Sequence, residues 1–246
     1  MNNNQTVEKL RQMRIGAMAE LHLQHVKNNG TEDFTPDEYL GILTDHEWEN
    51  RQNLKIERLL KQAAFRQKAS VEEVRFEPAR NLDRNMFNRL ATLDFIKRKE
   101  NLIITGASGV GKSYLAQALG HQACFNGLKV IYSNTARLFA RLKLAKTDGT
   151  YLKELNRQQK ANLLIFDDFG LQPMDNHCRE ALMDIIDDRY NKTSTIVVSQ
   201  IPVSVWYDII GEGTIADAIL DRIVNSSHRI DLKGESMRKG ILKNEN

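Results

Sequence analysis

The spacing of apolar and polar positions changes character near residue 70. Before it the period is helical. Leu10, Met13, Ile15, Met18, Leu21 and Leu23 predict one helix over roughly 7–26, and Ile56, Leu59, Leu60 and Ala63 repeat at the i, i+3, i+4, i+7 spacing of a second. Thr35-Pro36-Asp37-Glu38 joins a capping box to a proline at the first helical position, so the second helix starts there and runs to about Phe65. Asn28-Asn29-Gly30 separates the two. Residues 70–78 are polar and end at a proline. Beyond them, short apolar runs at 102–105, 129–132, 163–167 and 195–199, and a weaker one at 228–231, alternate with helical patterns over 114–125, 135–146, 176–190 and 215–225. Alternating strands and helices predict an α/β fold, a parallel sheet with helices on both faces. The wholly apolar third run fits a sheet buried on both sides. The expected organisation is a small all-helical N-terminal domain over 1–69, a connector over 70–80 and an α/β domain over 81–246.

Between the first strand and its helix lies Gly106-Ala107-Ser108-Gly109-Val110-Gly111-Lys112-Ser113, which fits G-x-x-x-x-G-K-[ST]. Glycines at these positions let backbone N–H groups curl around phosphate oxygens, and the helix N-terminus adds its positive dipole end. Lys112 would neutralise the β- and γ-phosphates, and Ser113 would place its hydroxyl on Mg²⁺. The third strand delivers Asp167 and Asp168 at its carboxyl end, where parallel sheets bind ligands. Asp167 would hold Mg²⁺, largely through water, and Asp168 would polarise the attacking water. Ser199-Gln200 ends the fourth strand, placed to read the γ-phosphate or to face a turn. Arg222 is either an arginine finger supplied to a neighbouring subunit or a salt-bridge partner of Asp221 or Asp217. Arg238 is a second candidate cation.

Composition narrows the classes. The 246 residues are 41% hydrophobic and 27% charged, with 14 Gly, 4 Pro and a net charge of +3. That excludes collagen-like, low-complexity and wholly disordered chains. No run of about 18 apolar residues is present to span a membrane, and MNNNQTVEKLRQ carries no secretory pattern. Cys124 and Cys178 lack metal-ligand or disulfide-framework spacing and read as small buried residues in a reducing cytosol. The pair His22 and His25 has no further ligand. The expectation is a soluble cytoplasmic protein. Charge is clustered: seven acids and no base over 32–49, six bases against one acid over 51–68, and seven bases against two acids over 137–160. Such basic stretches mark either a nucleic-acid surface or solvated helix faces.

The phosphate loop and the Asp-Asp strand resemble the AAA+ branch of P-loop ATPases. The wider chain resembles the IstB family of transposition helper ATPases, relatives of DnaC-type helicase loaders. Arg14-Ile15-Gly16-Ala17-Met18-Ala19, Glu100 to Gly106, Ala118-Leu119-Gly120-His121-Gln122-Ala123, Asp167-Asp168-Phe169-Gly170, Ser194 to Gln200, Ala216 to Arg222 and Glu235-Ser236-Met237-Arg238 carry the likeness. It implies an AAA+ ATP-binding domain over 81–246 that binds ATP and Mg²⁺ and hydrolyses ATP. It also implies binding to double-stranded DNA as a homo-oligomer with ATP at subunit interfaces, and recruitment or regulation of a transposase. By the same analogy Arg222 is the arginine finger and Arg238 a phosphate sensor. Asp168 departs from the glutamate usual in AAA+ proteins and reaches one methylene less. The competing readings are a helicase loader acting on single-stranded DNA, a small-molecule kinase, and a nucleotide-gated binding module that hydrolyses almost nothing.

Overall fold

A computed structural model of the chain describes residues 3–28, 34–211 and 213–237. It divides into two compact units, Met1–Arg58 and Leu59–Asn246.

The first unit is helical, with α1 (Asn3–Gln12), α2 (Gly16–Lys27) and α3 (Pro36–Ala63), whose last turn passes into the second unit. The single helix expected over 7–26 is two, because Arg14 takes a left-handed conformation at φ 61°. Ile15, the residue before α2, offers no side-chain cap. Glu47 of α3 supplies it instead, accepting from Ala17 N at 2.9 Å and Met18 N at 3.1 Å. Arg51 Nε donates to the other Glu47 oxygen at 2.7 Å, and its terminal nitrogen donates to Arg14 O at 2.8 Å. The break is thus closed by residues far away in sequence. The capping box at Thr35 forms as the sequence predicts: Thr35 N donates to Glu38 Oε2 at 2.8 Å, and Glu38 N to Thr35 Oγ1 at 3.4 Å.

The second unit holds a five-stranded sheet, β1 (Asn101–Gly106), β2 (Val130–Asn134), β3 (Leu163–Phe169), β4 (Ser194–Ser199) and β5 (Ser227–Leu232), in the order β2-β3-β4-β1-β5. Every pairing is parallel. Alternate residues feed two cores, as the period-2 geometry of strands requires. Leu102, Ile104, Leu163 and Ile165 face one, with Phe87 and Leu90 of α4 (Arg84–Ala91) and Leu115 and Leu119 of α6 (Lys112–Phe125); the short α5 is Asp94–Lys97. Ile103, Leu164, Phe166 and Val197 face the other. That core is completed from α7 (Thr135–Thr147), α8 (Tyr151–Gln159), α9 (Asn176–Arg189), α10 (Trp206–Ile210) and α11 (Gly213–Val224). The result is the predicted α/β sandwich. Helices α4, α5, α8 and α10 lie outside the runs read as helical from the sequence.

Gly120 shows how tightly α6 is seated. A Cβ there would lie 2.7 Å from the Phe65 ring and 3.0 Å from Ile165. Arg189 is 2% exposed and donates to the carbonyls of Gln158 and Ala161 at 2.9 and 2.8 Å and to that of Ser194, tying the end of α8 to the start of β4. Cys124 is buried as expected, whereas Cys178 is only partly so. Among the described residues, no helix is long and apolar enough to cross a membrane.

Candidate nucleotide-binding site

Residues 106–113 form the turn between β1 and α6, at the carboxyl edge of the sheet. Gly106, Gly109 and Gly111 all have positive φ, 140°, 84° and 94°, which L side chains rarely adopt. Gly109 also admits close neighbours: Met237 N donates to Gly109 O at 3.0 Å, and a Cβ at 109 would lie 2.2 Å from Ser236 Oγ. The loop is therefore backed by 236–237, a contact that loop spacing does not announce. Arg238 lies outside the described residues. Lys112 is buried and curls back so that Nζ donates to Ala107 O at 2.7 Å.

Ser113 Oγ donates to Asp167 Oδ1 at 2.9 Å, which also accepts from Asp168 N at 3.0 Å. Tyr132 OH donates to Asp167 Oδ2. Burial, then the neighbouring Asp167, pushes the Tyr132 phenol well above its ordinary pKa, so it remains a donor. Among the described residues no three His, Cys, Asp or Glu side chains gather into a metal site. The oxygen donors of Ser113 and Asp167 suit Mg²⁺, which typically binds through one or two carboxylates, water and substrate phosphates.

Consecutive strand residues point to opposite faces, yet Phe166 and Phe169 both enter the same core. A bulge explains this. Phe166 pairs with Val197 and Phe169 with Ser199, so β3 carries one residue more than β4 across that interval. Asp168 occupies the bulge at φ 58°. Left-handed backbone favours Asp and Asn among non-glycine residues, a physical reason for aspartate here in place of the longer acid. Asn134 Nδ2 donates to Asp168 Oδ2 at 2.9 Å, and Arg66 NH1 lies 3.9 Å from the same oxygen.

A cavity of about 640 Å³ opens beside the loop, lined by Gly111, Lys112, Ser113, Asp168 and Gln200 on one side and Val74 and Arg75 on the other. The stretch 64–80 is bound along its length. Gln117 Oε1 accepts from Arg66 N and Gln67 N at 2.8 and 3.2 Å, while Gln117 Nε2 donates to Ser113 O at 3.0 Å. Tyr114 OH donates to Glu73 Oε2 at 2.7 Å. The buried Arg80 guanidinium donates to Val110 O at 3.0 Å and to Arg75 O. Sequence reading assigns no role to Gln117 or Arg80 and places Arg66 only in the basic stretch 51–68; the partners of all three lie 30 or more residues away or in irregular backbone.

Two predicted site residues stand apart. Ser199 is buried, donating to Phe169 O at 2.8 Å and accepting from Ile201 N at 3.0 Å, so its hydroxyl is committed to the bulge and only Gln200 faces the cavity. Arg222 pairs with Asp187 at 2.9 Å, not with Asp221 or Asp217, and lies over the Tyr190 ring. Its carbonyl bonds Asn101 at the start of β1. The phosphate loop follows the far end of that strand, roughly 16 Å away at ~3.3 Å per residue. Within the basic stretch 137–160, Arg141, Lys143 and Lys146 are ion-paired with Glu154, Asp175 and Glu180.

The family described as IstB-like ATP binding protein matches residues 8–244. An insertion sequence ATP-binding protein of Sinorhizobium fredii is 44% identical over 234 residues, 95% of this chain and 96% of that one. The ATP-binding protein of insertion sequence IS1162 from Pseudomonas fluorescens is 38% identical over 205 residues, 83% and 89% of the two chains. The solved structure of the DnaC helicase loader covers 67% of this chain and 97% of its own, with a TM-score of 0.54 at 22% identity, a likeness of fold.

Proposed function

The chain belongs to the IstB-like ATP-binding protein family, and from that premise we propose that it is a Mg²⁺-dependent ATPase serving the transposition of an insertion sequence. The observation that carries this reading is the bond from Ser113 to Asp167, with Asp168 beside it, at the base of a glycine loop and a ligand-sized cavity. The loop amides and Lys112, released from Ala107 O, would hold the β- and γ-phosphates. Ser113 and Asp167 would hold the Mg²⁺ that accompanies ATP, which neutralises charge on the phosphates. Asp168, steadied by Asn134, would orient the attacking water and accept its proton. Gln200 faces the same space. Arg222 cannot serve its own loop across the length of β1, so its role in hydrolysis requires a second copy, which makes the active form an oligomer with ATP between subunits. Arg238 keeps the role of a phosphate sensor in this proposal.

Names of the relatives tie them to insertion sequences. By that tie the partners are double-stranded DNA and the transposase encoded with the element. The bases of 137–160 that make no ion pair among the described residues, Arg137, Lys153, Arg157 and Lys160, are the contacts proposed there for the phosphate backbone. Residues 51–68 supply the other candidate surface. The test is hydrolysis of MgATP together with binding to a labelled duplex and an equal-length single strand at two salt concentrations. ATP-dependent duplex preference that weakens steeply with salt supports the reading, because each neutralised phosphate releases counterion. Preference for the single strand would replace it with a helicase-loader role, and absence of ATP turnover would leave a nucleotide-gated binding module.

A further inference from the structure

Arg222, Arg80 and Arg66 differ in what they can do in this chemistry. Arg222 is a strand's length away, and Arg80 spends its guanidinium on two backbone carbonyls. Arg66 is different. Its backbone is stapled in place: Gln117 bonds the amides of residues 66 and 67 on one side and the carbonyl of Ser113 on the other. Phe65 beside it stacks on His121 with ring centroids 4.1 Å apart. Its side chain, in contrast, is 58% exposed: the guanidinium rests against the Tyr132 phenol, and NH1 approaches Asp168 Oδ2 only to 3.9 Å, beyond hydrogen-bond distance. A half-exposed ion pair of this kind is weak and exchanges readily for a better anion. Gln67, the next residue, lines the cavity.

We infer that Arg66 is a γ-phosphate-sensing residue, supplied by the chain to its own site. Without a γ-phosphate it pairs loosely with Asp168. A triphosphate offers a more highly charged oxygen group on the same side of the cavity, and the guanidinium moves onto it through charge-assisted hydrogen bonds. The inference rests on the ATPase reading above and adds to it a residue that separates ATP from ADP.

The test is equilibrium titration of the full chain with Mg²⁺ and either ADP or the non-hydrolysable AMPPNP, for the unchanged protein, Arg66→Gln and Arg66→Lys. Loss of a charged contact to the terminal phosphate predicts that Arg66→Gln binds AMPPNP about tenfold to a hundredfold more weakly. Its ADP affinity stays within about twofold, and Arg66→Lys is intermediate for AMPPNP alone. Intact ADP binding doubles as the check that the variant is folded. Equal affinities of Arg66→Gln and the unchanged chain for AMPPNP would overturn the inference. So would parallel losses for both nucleotides, which mark a structural role. An unchanged chain that binds neither nucleotide would remove the ATPase reading and this inference with it.

Discussion

Ser113 and Asp167 are joined by a 2.9 Å hydrogen bond that ties the first turn of α6 to the end of β3. The contact fixes a hydroxyl and a carboxylate side by side where a nucleotide-borne Mg²⁺ would sit. Asp167→Asn replaces the anion with a neutral amide of nearly the same shape. The expected outcome is ATP binding that becomes insensitive to Mg²⁺ while the fold is kept. Titration of nucleotide with and without the metal checks it; an unchanged Mg²⁺ response would exclude Asp167 from that role.

Asp168 combines a left-handed backbone with a carboxylate facing Asn134. Asp168→Asn keeps the backbone preference and removes the proton acceptor, so ATP binding should persist while turnover falls by about 10²- to 10⁴-fold. Asp168→Glu should instead lower thermal stability, because a longer side chain is less suited to that backbone, by roughly 1 kcal/mol. Steady-state kinetics and thermal denaturation of the two variants separate these effects.

Tyr132→Phe removes the phenol that donates to Asp167 Oδ2 in this buried cluster. Leaving a buried acceptor without its partner costs about 1–3 kcal/mol. The expected drop in Tm is of order 2–4 °C per kcal/mol for a chain of this size. Differential scanning calorimetry measures it, and a Tm unchanged by the substitution would show that the phenol does not hold the carboxylate.

Glu47 gives the first helical unit a pH dependence. Burial raises its carboxyl pKa, but the Arg51 guanidinium and the Met18 and Ala17 amides outweigh burial and hold it below the ordinary 4.5. A carboxyl depressed on folding contributes stability that is complete above its unfolded value and is lost as pH falls through the lower folded value. Protection of the Ala17 and Met18 amides against hydrogen exchange, referenced to the intrinsic rate, should therefore decline on acidification below about pH 4.5. Glu47→Gln should flatten that decline. A wild-type profile that stays level through this range would contradict the assignment.

Arg222 and Lys112 occupy opposite ends of β1, which makes a mixing experiment decisive. Arg222→Ala and Lys112→Ala should each turn over little ATP alone, yet an equimolar mixture should recover part of the activity, since one chain keeps the loop and the other the arginine. No recovery at any ratio would argue that Arg222 serves only its ion pair with Asp187.

Much of this arrangement is legible in the sequence because it depends on local signals. Runs such as Leu163 to Phe166 are apolar throughout, as strands covered on both faces must be. The phosphate loop needs glycine where φ is positive, and Thr35 with Glu38 forms its cap within one turn. What escapes reading depends on distant partners. The interruption at Arg14 is closed by Glu47 and Arg51. Helix α8 has few apolar residues, and its end is held by Arg189 from α9. Ser199 follows the expected strand, but the bulge one strand away takes its hydroxyl, a demand that no residue near 199 reveals.

The bulge in β3 also constrains how this segment can change length. Deleting either aspartate would restore simple two-residue phase between β3 and β4, with Phe169 still directed into the core where it meets Trp206 at 4.7 Å. The packing would survive such a loss, but one carboxylate of the pair would be gone. Inserting a residue would instead shift the phase and turn Phe169 out of that core. The hydrophobic interior thus accepts a shorter segment, and it is the acidic pair whose chemistry needs the extra residue.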